Sequence, residues 1–144
     1  MEPIIKIGCD IASTNPSADL QLEMWIDNNK ILDTCIVEHR HIEHRILDVD
    51  GEHELKFVLK NKKDSDTQID EAGNIIKDSL IEITNLTFDD IELNHIMHQL
   101  SVYRHNSNGR TDYIEDKFYE SMGCNGTVTL KFTTPIYLWL LENM

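Results

Sequence analysis

Apolar residues recur at every second position in run after run of this chain, and that period fits strands and not amphipathic helices. The pattern is densest in Ser79–Leu93, S-L-I-E-I-T-N-L-T-F-D-D-I-E-L, where Ile81 and Ile83 share one face while Leu86 and Phe88 have the opposite parity. To keep all four inward, a strand needs a bulge or short break near Thr84-Asn85, because one extra residue resets parity. Asp89-Asp90 then marks an edge.

The same alternation runs through Ile5, Ile7, Cys9 and Ile11, then through Leu20, Leu22, Met24 and Ile26, and again through Val128, Leu130 and Phe132. Between the runs lie turn residues. Ser13-Thr14-Asn15-Pro16-Ser17 ends the first strand, and Asp27-Asn28-Asn29-Lys30 suits a tight hairpin returning through residues 31–37, because Asn tolerates positive φ. Asp50-Gly51 between 42–49 and 53–60 predicts a second hairpin. The pattern lapses at 61–79, a polar insertion with its own turn at Glu71-Ala72-Gly73-Asn74, and at 101–126, which reads as an extended loop. Residues 94–100 suit either a helical turn or a strand, as do 136–142. The expectation is one all-β domain over 1–144: an antiparallel β-sandwich of jelly-roll type with about eight strands.

At 144 residues the chain is long enough for one well-buried core. Its 26 acidic residues against 13 basic give a formal charge of −13, which repels phosphate backbones and anionic lipid, so neither nucleic acid nor membrane is an expected partner. The longest apolar run, Ile136 to Leu141, is far short of the roughly 20 residues a span needs. The N-terminus lacks the basic and apolar regions of a secretory signal, and Cys9, Cys35 and Cys124 show no paired spacing. Both point to synthesis without export and to free, buried, reduced thiols.

No nucleophile stands beside a base, no Gly-rich phosphate loop occurs, and the expected role is binding or assembly rather than catalysis. Calcium is the cofactor the acidic residues suit, with Asp64, Asp66 and Asp70 in the 61–79 insertion and Asp89 and Asp90 beside the central strand as candidate ligands. Turn formation and solubility are the competing roles of those carboxylates. The candidate binding aromatics are Trp25, Tyr103, Tyr113, Tyr119 and Trp139. Trp25 has the parity of Gln21 and Glu23 and so belongs on an outer face, where a large ring is covered by a loop such as 101–126 or meets a partner. Trp139 either plugs the core or docks on a neighbouring subunit.

Three resemblances follow from particular stretches. His39-Arg40-His41-Ile42-Glu43-His44 resembles the H-x-H-x-[DE]-H metal run of metallo-β-lactamase-fold hydrolases, which implies a small metal-dependent hydrolase using His39, His41 and His44. Solvent-facing histidines on a turn and strand are the preferred reading, because the fold of that family alternates strands and helices and this chain does not. Thr87–Leu93, T-F-D-D-I-E-L, resembles a strand step of carbohydrate-binding jelly rolls, calcium-dependent ones included, which implies glycan binding. Taken whole, N-K-K-D-S-D-T-Q-I-D-E-A-G-N-I, F-Y-E-S-M-G-C-N-G and T-T-P-I-Y-L-W-L-L-E-N-M resemble small β-rich virion-associated proteins of tailed phages of marine cyanobacteria. That resemblance implies a particle component in capsid decoration, baseplate or fibre, made in the host cytoplasm and contacting other virion proteins or itself, and it is the leading expectation.

Overall fold

A computed structural model describes residues 3–36, 38–63, 68–107, 109 and 111–143. Two antiparallel sheets face each other. The first has the order β12-β8-β1-β4, formed by β1 (Ile4–Ser13), β4 (Arg40–Leu47), β8 (Ile81–Phe88) and the short β12 (Ser121–Met122), with β9 (Ile91–Glu92) folded back on β8. The second has the order β11-β10-β13-β5-β2-β3, from β2 (Gln21–Ile26), β3 (Asn29–Cys35), β5 (Gly51–Lys60), β10 (Val102–His105), β11 (Ile114–Lys117) and β13 (Gly126–Thr134). The chain is an all-β antiparallel sandwich.

The period-two residues make the core. Ile5, Ile7, Cys9 and Ile11 from β1 and Ile81, Ile83, Leu86 and Phe88 from β8 face Leu22, Met24, Ile26, Leu55, Phe57, Leu59, Val128, Leu130 and Phe132 of the other sheet, all buried. Each such side chain contributes about 1.5–3 kcal/mol of burial. The expected bulge is present. Gly8 pairs with Thr87 but Asp10 with Thr84, so Asn85 and Leu86 together oppose Cys9, and Asn85 takes φ +54°. Phe88 and Phe132 meet across the sheets at 4.8 Å between ring centroids, and Trp139 closes the trio at 6.0 and 6.1 Å.

The two hairpin expectations part company. Asp27-Asn28 does turn β2 into β3, with Ile26 opposite Asn29 and Asp27 at φ +55°. Asp50-Gly51 does not make a hairpin. β4 pairs with β1 in one sheet while β5 lies between β13 and β2 in the other, so residues 48–50 form a corner that crosses the sandwich. Burial decides this: β5 buries Leu55, Phe57 and Leu59 completely and occupies a central position, whereas β4 is half-exposed throughout and suits an edge. Neither Asp50 nor Gly51 takes the positive φ that a tight hairpin turn requires.

Within 101–126, read from sequence as a loop, β10 and β11 form an antiparallel pair added to β13. Four-residue strands carry too few alternations to stand out from polar surroundings. The 61–79 insertion contains a small hairpin, β6 (Gln68–Ile69) with β7 (Ile75–Lys77), turning at Gly73 (φ +87°) as expected. Residues 94–100 are helix α1, burying Ile96 and Met97, and Ile136–Asn143 are helix α2, burying Ile136, Trp139 and Leu140. Asp48 of the corner accepts the Ile136 N–H at 2.8 Å, tying α2 to the crossing. Cys9 is buried and its thiol is pushed up to about 12 by burial. Cys35 is exposed, against the expectation of three buried thiols.

Candidate functional site

The outer face of the six-stranded sheet carries a groove of about 920 Å³. Strand register places its walls. On β13, Thr127, Thr129 and Lys131 point outward between the inward Val128, Leu130 and Phe132, so two hydroxyls and an ammonium lie in a row along the floor. Thr127 is paired with Arg104 of β10 on one side and Val58 of β5 on the other, Thr129 with Val102 and Lys56, and Lys131 with Glu54. Leu100, at the end of α1, and Tyr113 and Glu115 complete the lining on the β10–β11 side. Gly126 lets β10 come close: a Cβ there would stand 2.4 Å from the Arg104 carbonyl oxygen.

Tyr113 is 59% exposed, and the Arg104 guanidinium lies over its ring at 4.5 Å from the centroid. A rigid ring held by a cation–π contact beside ordered hydroxyls offers both a stacking surface and fixed hydrogen-bonding groups. The charge here runs against the rest of the molecule. Lys56, Arg104 and Lys131 outnumber Glu54 and Glu115 in a chain with twice as many acids as bases. Lys56 pairs with Glu54 at 3.0 Å, whereas Arg104 and Lys131 have no ion-pair partner among the described residues.

Of the other aromatics named from sequence, Trp25 shares this outer face but sits on β2, two strands from β13. It is half-buried, donates its indole N–H to Glu23 at 2.8 Å and lies under Lys30. Its cover comes from its own hairpin and not from 101–126. Tyr119 is 66% exposed and its ring lies tilted against His98 of α1, away from the groove lining. Tyr103 and Trp139 are core residues, each 6% exposed. The Tyr103 hydroxyl accepts the Cys124 N–H and donates to the Cys124 carbonyl, and burial raises its pKa. Tyr103 alternates with Arg104, so one of the two had to face inward.

Of the described candidate calcium ligands, Asp70 lies in the β6–β7 hairpin, apart from Asp89 and Asp90. Asp70 caps its own turn, accepting the Ala72 and Asn74 N–H groups at 2.9 Å. The Asn74 N–H is the main cause of its lowered pKa. Asp89 and Asp90 form the two-residue turn between β8 and β9, both at positive φ. Asp89 accepts the Lys6 N–H, and Asp90 pairs with the Lys6 ammonium at 2.8 Å. Asp64 and Asp66 lie outside the described residues. Among the described residues, no group of three or more His, Cys, Asp or Glu side chains is arranged to hold a metal ion.

The histidine run divides for the reason alternation dictates. His41 and Glu43 face outward, while His44 shares the inner parity of Ile42 and Ile46. His41 lies 2.8 Å from Asp10 and 3.0 Å from Glu43, and its hydrogen bond to Asp10 raises its pKa. Sequence reading missed a further relay. His53 sits 2.9 Å from Asp27 and 3.1 Å from Thr134, the connectivity of a hydrolase triad, but Thr134 is 5% exposed and donates its hydroxyl to the Val49 carbonyl. The relay ties the β2–β3 turn, β5 and the end of β13 to the corner.

No family model matches the chain, and no curated protein matches it in sequence. Among solved structures, the fold is similar to that of vCBM60 in complex with galactobiose, at TM-score 0.51 and 10% identity over 87% of this chain and 96% of that one. A second vCBM60 structure, described as linking two families of calcium-dependent carbohydrate-binding modules by circular permutation, aligns at TM-score 0.50 and 10% identity over 88% and 89%. At such identity the likeness concerns the fold. It agrees with the jelly-roll resemblance read from Thr87–Leu93.

Proposed function

We propose that this protein is a non-catalytic carbohydrate-binding module that holds its ligand in the groove over β13. The observation that carries the reading is the exposed Tyr113 ring set beside the Thr127 and Thr129 hydroxyls on a rigid sheet face. A sugar presents apolar C–H faces and a rim of hydroxyls, which an aromatic plane and fixed polar groups recognise together. The fold likeness to vCBM60, a structure in complex with galactobiose, supports it. Binding by this route needs no calcium, since the groove holds none of the carboxylates named as ligands; chelator should leave affinity unchanged.

The test is titration calorimetry against a panel of neutral and acidic oligosaccharides. Tyr113→Ala should weaken the best ligand about tenfold, from lost stacking and contact area. An empty panel, or unchanged affinity in Tyr113→Ala, refutes the reading. The virion reading keeps one observation: α2 turns Tyr137, Leu138 and Leu141 outward at 53, 59 and 74% exposure. As an assembly surface, that face would give an oligomer in light scattering that Leu141→Asp dissociates.

A further inference from the structure

Resting on that reading of the groove, we propose that it selects acidic glycans, with Arg104 and Lys131 binding carboxylates of uronate units. Elsewhere Lys6, Lys30, Lys60 and Lys62 each sit against a carboxylate, as a chain with 26 acidic residues readily provides. In the groove, Arg104 and Lys131 form no ion pair among the described residues, although Glu115 and Glu54 stand opposite them in register. Both cations can therefore take a carboxylate from a ligand.

Arg104 is prepared for a planar anion. Stacking on Tyr113 fixes the guanidinium without using its N–H donors in an ion pair, and a fork of donors matches a carboxylate bidentately. A uronate ring lying on the tyrosine would bring its carboxylate to that fork. Lys131 is four residues along β13 from Thr127, the partner of Arg104, or about 13–14 Å at strand rise. That separation exceeds one sugar ring, so the two cations address different units of one chain. Glu54 and Glu115 border the same groove and work against a continuous polyphosphate, as does the net charge of −13. The ligand fitting all three conditions is a glycan with spaced, single carboxylates.

The experiment compares oligogalacturonate with neutral galactan oligomers of equal length on the full chain, by calorimetry at low and high salt. Chelator is present throughout, because polyuronates bind calcium. The acidic oligomer should bind about tenfold tighter at low salt and lose that advantage as screening rises, while neutral binding stays level. In Arg104→Gln, and more weakly in Lys131→Gln, the ratio of acidic to neutral affinity should fall towards one, with melting temperatures at wild-type values showing intact folds. Equal affinity for both oligomers, or a preference that survives Arg104→Gln, overturns the selectivity and leaves the groove reading standing. Binding of neither overturns both.

Discussion

Lys62 and Asp78 close the base of the 61–79 excursion, and their unequal burial predicts unequal costs of substitution. The Lys62 side chain is fully buried, and its ammonium sits 2.5 Å from Asp78 Oδ1 and 2.5 Å from the Gly123 carbonyl. Asp78 is 24% exposed and also accepts the Ser79 N–H at 2.9 Å. The backbone of Lys62 is held at both ends by Asn125, the residue before β13. In Asp78→Asn the buried ammonium loses its counter-charge and cannot reach water, a cost of about 3–5 kcal/mol. In Lys62→Met the carboxylate can turn to solvent and the methionine keeps the apolar volume, so the main loss is the Gly123 carbonyl's partner, about 1–2 kcal/mol. For a chain of this size 1 kcal/mol moves Tm by about 3–5 °C, which separates the variants by roughly 10 °C.

The assay is urea unfolding followed by circular dichroism, with midpoints compared at constant slope. The double variant Lys62→Met/Asp78→Asn should recover much of what Asp78→Asn loses, because it removes the stranded charge. If Lys62→Met proves as costly as Asp78→Asn, or the double variant is as unstable as Asp78→Asn alone, the argument from burial fails.

His41 supplies a pH test. Its folded pKa is raised above the usual 6.5 by Asp10 and then Glu43, so its contribution is complete below about 6.5 and is lost as pH rises through the higher folded value. The melting difference between wild type and His41→Gln should shrink across that window, and the NMR midpoint of His41 should fall towards 6.5 in Asp10→Asn. Tyr103→Phe removes the hydroxyl's hydrogen bonds to the N–H and the carbonyl of Cys124 and should cost about 1–2 kcal/mol by chemical denaturation, with ring packing retained. Asn85→Ala places a Cβ-bearing residue of poor left-handed propensity at φ +54° and removes the amide that hydrogen-bonds Asp10. It should cost about 1–2 kcal/mol, with Asn85→Gly cheaper than Asn85→Ala in the same assay.

The core was legible because it depends on parity, and parity is local. Ile5 through Ile11 and Leu20 through Ile26 declare their inward faces within a few residues, and the clash of parity at Leu86 located the bulge at Asn85 before any partner strand was known. Pairing is not local. Asp50-Gly51 has hairpin chemistry, but which sheet β5 joins depends on β13, more than seventy residues away, whose long register along β5 outweighs the turn. Asp27-Asn28 succeeded because nothing distant competed: β3 is an edge strand whose one ladder is with β2.

The groove lay beyond local reading for the same reason. Its floor comes from β13 and its walls from β5, β10 and β11, and none of its residues stands in a motif. Aromatic content alone named Tyr103 and Tyr113 together, yet backbone parity sends the first into the core and leaves the second on the surface at the mouth of β11. The residue that gives Tyr113 its setting is Arg104, which sequence reading passed over because an arginine on a four-residue strand is unremarked until its neighbours are known. What sets this groove apart is a guanidinium that stacks on an exposed ring and forms no ion pair among the described residues, although Glu115 stands opposite it in register. Lys6, Lys30, Lys56 and Lys60 each meet a carboxylate, and in the proposed reading Arg104 and Lys131, beside an exposed ring, take theirs from a ligand.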